Sequence, residues 1–337
     1  MKTNLLSAPL YRTAFRWLVT IALFDWLVTR TITRSAIFMP KPPALLLLYQ
    51  VLGGVGQWAL SLVSLLGLVL LGSIAWWEWR QRHALWLAAA LGEQVGFSLL
   101  FLFVPPVGWP ALVNHLLYLA VILLLLWRAV LRQAAEPAFV MGRLLPLLLP
   151  ALAIMAGRLH QAIPVLYATQ HWSGPPPLST VLFTVGELLV ALTPIGLWWR
   201  YGRGAPWRHW LLAGLSVLLF TGMYLATPTM TGILTVWSTG ITLYLPWPLY
   251  GISLWLAGVT FLMVRKTEEQ IGWAILLLAA GGFTPQLSAQ ANLALLALWL
   301  LSEPTVQAAD HPVHRPRRWL SNFLERKDQI LSSLEVT

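Results

Sequence analysis

An all-α bundle of about ten membrane-spanning helices follows from three features of this chain. Of its 337 residues, 58% are of hydrophobic type and only 10% are charged, against roughly 25% charged in soluble domains. The apolar residues gather in runs of about 17 or more, the length that crosses a bilayer core of roughly 30 Å. The 22 Lys and Arg mostly sit between those runs, at alternate connections, where the positive-inside rule puts cytoplasmic loops. Open sheet edges cannot exist in lipid and no alternating strand-length segments occur, so the spans are helices. The composition excludes a soluble enzyme. The net charge of +10 marks one side of a membrane and implies no nucleic-acid partner. With no cysteine, disulfides, thiolate metal ligands and cysteine nucleophiles are ruled out.

The first span, 14–29, follows Lys2, Arg12 and Arg16. No small-x-small cleavage site follows it, so it is read as a retained span and not as a signal peptide. The second, 48–77, ends at Trp76 and Trp77 beside Arg80 and Arg82, an interfacial anchor next to cytoplasmic charge. The third and fourth, 84–104 and 109–132, turn at Pro105 and Pro106 and return to Arg128 and Arg132. The fifth, 143–169, starts at Arg143, and Pro175 to Pro177 turn the chain into the sixth, 178–200. Residues that cannot donate to a helix ladder suit such turns. The seventh and eighth, 207–227 and 243–264, lie between Arg208 and the Arg265, Lys266 pair, and 269–284 and 287–302 turn at Pro285. Five hairpins result, with both termini cytoplasmic. Arg30, Arg34 and Lys41 lie in the first outer connection and leave a nine-span arrangement open. The charge-free stretch from Thr227 to Tyr250 is expected to be an interfacial connector or a lid. Residues 1–302 form the membrane domain and 303–337 a basic, amphipathic cytoplasmic tail. With no organelle-targeting segment visible, the cell (inner) membrane is the expected location.

A charged side chain at the centre of a span costs about 2.5 to 3.5 kcal/mol. Asp25, near the outer end of a short span, is expected to face water or to pair with Arg30. Glu93, Arg158 and Glu187 fall near the midplane of the third, fifth and sixth spans, and a buried network is expected in which one guanidinium serves two carboxylates. The less well paired carboxylate would suit a proton carrier; a static pair that orients helices is the other reading. His115 and His160 lie in the fourth and fifth spans at depths that differ by only about 3 Å. Facing each other they would bind copper or hold haem b axially; hydrogen bonding alone is the plainer alternative. Arg158 and His160 are two positions apart, about 200° around the helix, so they face different sites. Met155, Met223 and Met230 form no Met-x-x-Met run and are read as packing. No P-loop, HExxH helix or G-x-S-x-G elbow is present, so no catalytic residue is expected.

The segments NHLLYLAVILLLLW (Asn114 to Trp127), GRLLPLLLPALA (Gly142 to Ala153), IPVLY (Ile163 to Tyr167) and VGELLVALTPIGLWWR (Val185 to Arg200) resemble, over residues 109–200, the CtaG family of membrane proteins associated with cytochrome c oxidase assembly. The resemblance implies a membrane partner of a respiratory enzyme that handles metal, with His115 and Glu187 at family positions. Two other functions stay open: a haem b or quinone-binding membrane subunit of an electron-transfer complex, and a proton-coupled transporter using Glu93 or Glu187. Lipid and respiratory-complex subunits are the expected partners.

Overall fold

The computed structural model describes residues 9–25, 43–81, 85–101, 103, 108–134, 141–167, 177–226, 246–283 and 287–303. The interfacial connector expected at 227–250 lies largely outside them, as do Arg30, Arg34, Lys41 and the tail beyond Glu303. Among the described residues every regular element is helical: α1 (Pro9–Phe24), α2 (Pro43–Gln81), α3 (Leu85–Leu100), α4 (Gly108–Ala134), α5 (Met141–Tyr167), α6 (Pro177–Leu197), α7 (Trp207–Ala226), α8 (Pro246–Val264), α9 (Glu269–Phe283) and α10 (Leu287–Ser302). Four stretches, Gln50–Arg80, Gly108–Leu131, Leu144–Ile163 and Leu178–Gly202, are long and apolar enough to cross a membrane.

Prolines open four of the helices, at Pro9, Pro43, Pro177 and Pro246. There the missing N–H has no intrahelical acceptor to lose and the fixed φ already suits the helix. Pro43 carries α2 to 39 residues, longer than the span read from hydropathy, because the Ala and Leu residues that follow it are strong helix formers. Inside α6, Pro194 removes a ladder donor. The chain then widens into a π-helical turn, Trp198–Gly202, one of the recognised responses to a disturbed i to i−4 ladder. Gly204, with φ +83°, takes the sharp bend into α7 in a conformation that a Cβ would strain.

The last helix is the axis of the fold. Residues 291–300 of α10 are buried on every face, as expected of a helix that is apolar all round, and α2, α4, α5 and α9 pack on it. Polar contacts from several helices fix it, two of them near its start. Tyr118 of α4, fully buried, donates to the Ala291 carbonyl at 2.8 Å. Asn292 donates to the Ser64 carbonyl of α2 at 3.2 Å. Gly67 allows that approach, since a Cβ there would lie 2.8 Å from the Asn292 Cβ. Consecutive helices pack from α1 to α6, and α7 packs on α8, which also touches α6 and α9.

Ion pairs gather at the arginine-rich end. Arg128 of α4 lies 2.6 Å from Glu78 of α2 and 2.7 Å from Glu303 beyond α10; both approaches are ion pairs whose angles fall outside hydrogen-bond geometry. Arg12 meets Glu269 at 3.3 Å, joining α1 to α9. The outward surface is apolar by contrast: Trp58, Trp86, Trp109 and Leu218 are among many large side chains exposed there. Arg203 stacks over the Trp199 ring at 3.2 Å.

Candidate functional site

Polar side chains of α3, α4 and α5 form two contacts inside the bundle, one around Arg158 and one between Gln94 and Asn114. The Arg158 side of α5 faces α4: its guanidinium carbon sits 4.1 Å from the centroid of the Tyr118 ring, and its Nη1 donates to Gln161 Oε1 at 3.3 Å. Arg158 is only 9% exposed. His115 lies one turn before Tyr118 on the same side of α4. Nδ1 of His115 is buried and has no hydrogen-bond partner among the described residues. Next to His115 in the chain, Asn114 accepts from Gln94 Nε2 of α3 at 2.9 Å, and Gln94 Oε1 is likewise buried and unpartnered.

Among the described residues no carboxylate stands within ion-pair distance of Arg158. Its neighbours are a ring face and an amide. A guanidinium held in an apolar bundle is stabilised by cation–π and hydrogen-bond contacts, but its remaining N–H groups still favour an electron-rich oxygen. The guanidinium on Tyr118 and the imidazole nitrogen of His115 lie one helical turn apart along α4.

The carboxylates expected beside Arg158 are arranged differently. Glu93 is exposed on the outer face of α3, while Gln94, one position on and about 100° around the helix, points inward and is 2% exposed. The Glu93 to Arg158 half of the expected network is therefore not formed. The side chain of Glu187 lies outside the described atoms. Its neighbour Gly186 packs directly on Ala156 and Gly157 of α5. Asp25 is buried at the end of α1 and not open to water as one of its two expected readings had it. Met155 packs against the apolar core; the side chains of Met223 and Met230 are outside the described atoms.

His160 looks the other way. Its Nδ1 is 2.7 Å from Ser179 Oγ and 2.8 Å from the Ser179 carbonyl of α6. A protonated Nδ1 donates to the carbonyl and an unprotonated one accepts from the hydroxyl, so either tautomer is served. Phe183 of α6 lies against the ring, centroids 5.3 Å apart. Arg158 lies against Tyr118 of α4, and His160, about 200° around the helix, joins α5 to α6. Its Nδ1 is engaged by Ser179 and not by the expected partner His115. Among the described residues no group of three or more His, Asp or Glu could hold a metal ion.

Gln94, Gln161 and Ser179 were not singled out from the sequence because uncharged polar residues in an apolar run do not stand out. Their signal was spacing: Gln161 is three positions from Arg158, and Gln94 follows a charge that the same helix turns outward. Comparison with models of protein families, with curated proteins and with solved structures finds no match to this chain.

Proposed function

We propose that the chain is a multi-pass protein of the cell (inner) membrane that binds a quinone-type ligand between Arg158 and His115, as the membrane subunit of an electron-transfer complex. Ten spans with both termini cytoplasmic are part of this reading. The alternation of basic and charge-free connections supports it, as does the apolar outward surface. The observation that carries the ligand is the buried guanidinium of Arg158 without a described carboxylate, beside an imidazole nitrogen without a partner. A buried charge in a membrane bundle marks a functional site and seeks a partner. A quinone carbonyl accepts hydrogen bonds from both groups and keeps its ring in apolar surroundings, so it satisfies the donors without adding a second buried ion.

The test is a titration of purified protein in detergent with a short-tailed quinone, followed by quenching of tryptophan fluorescence. Saturable binding, weakened at least tenfold by His115→Ala and by Arg158→Gln but not by His160→Ala, is the expected result. Saturable binding indifferent to the first two substitutions contradicts it, and so does no binding at all. The metal-handling role in oxidase assembly is the second reading. It draws on the resemblance over residues 109–200 and needs both imidazoles on one copper or haem iron, while Ser179 engages His160. Metal or a reduced b-type absorption band lost in both histidine variants would favour it. A proton-coupled transporter would instead lose uptake on Glu93→Gln or Glu187→Gln.

A further inference from the structure

A groove of about 480 Å³ runs between α7 and α8. Leu212, Ser216 and Val217 line it from α7, and Leu254, Gly258 and Phe261 from α8. Its floor is set by a close approach: a Cβ on Gly258 would stand 3.1 Å from the Ala213 Cβ, so the helices touch there and splay on either side. The groove is almost wholly apolar, because the Ser216 hydroxyl donates to the Leu212 carbonyl of its own helix.

The arginine-rich end of this groove is basic. Arg208 lies one turn before Leu212 on α7, and Arg265 and Lys266 follow Phe261 at the end of α8, where the Arg265 N–H still donates to the Phe261 carbonyl. All three bases are exposed and none has an acidic partner among the described residues. Of the nearby carboxylates, Glu269 pairs with Arg12, and Glu268 forms an ion pair with none of the three bases among the described residues. From Leu254 to Arg265 is about 16 Å along the helix, close to the roughly 15 Å of one leaflet's hydrocarbon.

We infer that this groove holds one acyl chain of an anionic phospholipid whose phosphate is bound by Arg208, Arg265 and Lys266. An apolar slot of leaflet depth that ends in unpaired cations complements that molecule at both ends, and basic pockets between spans on the cytoplasmic side bind anionic headgroups. A zwitterionic lipid offers the same phosphate but carries its own cation beside it, so it complements the three bases less well. The inference rests on the membrane-spanning reading.

Because the chain has no cysteine, Ser216→Cys provides a unique attachment point for a small fluorophore inside the groove, and Leu218→Cys one on the exposed outer face of α7. The labelled full-length protein is placed in phosphatidylcholine vesicles containing bromine-labelled phosphatidylglycerol or, separately, bromine-labelled phosphatidylcholine. The expected result is that the anionic lipid quenches position 216 at a several-fold lower mole fraction than the neutral one, with no preference at position 218. Each base replaced by Gln should lower that preference in part, and all three together should abolish it. Equal quenching at 216 by both lipids overturns the proposal, and so does a preference that survives the triple substitution. If 218 is quenched and 216 is shielded from both lipids, protein covers the groove and the proposal fails while the spanning reading stands. If neither position is quenched, the spanning reading fails and takes the proposal with it.

Discussion

Replacing Arg128 with Met should be among the most destabilising single changes in this protein. The Arg128 side chain is 12% exposed and lies 2.6 Å from Glu78, which is 4% exposed, and 2.7 Å from Glu303, which is 17% exposed. With such limited exposure, solvent screens little of the interaction. Removing the cation leaves two carboxylates without it, and among the described residues Glu78 keeps a 3.5 Å contact from Trp299 Nε1. Breaking a buried pair from one side costs about 3 to 5 kcal/mol, because the remaining charge is uncompensated. The double variant Glu78→Gln with Arg128→Met removes one of those charges and should recover about 1 to 3 kcal/mol of the loss. Reversible unfolding in mixed micelles, followed by tryptophan fluorescence, measures both values. A loss below about 1 kcal/mol for Arg128→Met is the size of an exposed ion pair and would refute the argument, as would a double variant no more stable than the single one.

Three further outcomes can be checked by the same unfolding assay. Gly67→Ala puts a Cβ 2.8 Å from that of Asn292 and should cost about 1 to 3 kcal/mol by overpacking; a neutral result would mean that α2 and α10 move apart freely. Ser179→Ala should cost about 0.5 to 1.5 kcal/mol, the net worth of one hydrogen bond, and leave quinone binding intact; altered binding would link His160 to the ligand. Glu268, in the connection between α8 and α9, has its carboxyl pushed above the ordinary range by burial, partly offset by Arg200. Its stabilising contribution is therefore full below the unfolded pKa and is lost as pH rises through the folded one. Glu268→Gln should raise the melting temperature at neutral pH, with a gain that shrinks toward about pH 4; a gain that grows on acidification would reverse that sign.

The helices were legible in the sequence because lipid-length apolar runs, proline and arginine each act locally. α10 could be read as a span, and its all-round apolarity even hinted that it is central. Which face each helix presents was harder. Glu93 drew attention by its charge, yet Gln94 turns inward, since one residue rotates a helix by about 100° and hydropathy alone does not fix that phase. Depth placed His115 and His160 at one level, but depth does not set azimuth: Gly186 packing on α5 and the Ser179 contact bring His160 to α6. Arg128 was taken as a marker of the cytoplasmic side. Its second role emerges only when α2, α4 and the end of α10 meet, because the sequence separation of Glu78 and Glu303 hides the shared cation.

Infrared difference spectroscopy with a quinone carrying a carbon-13 label at one carbonyl tests the central claim most directly, because it reports on the oxygen itself. A carbonyl held by Arg158 and His115 should absorb at lower frequency than free quinone in the same detergent, and the band should move back in Arg158→Gln and in His115→Ala while His160→Ala leaves it in place. A band at the free position in the unaltered protein, or a shifted band that neither substitution moves, would contradict it.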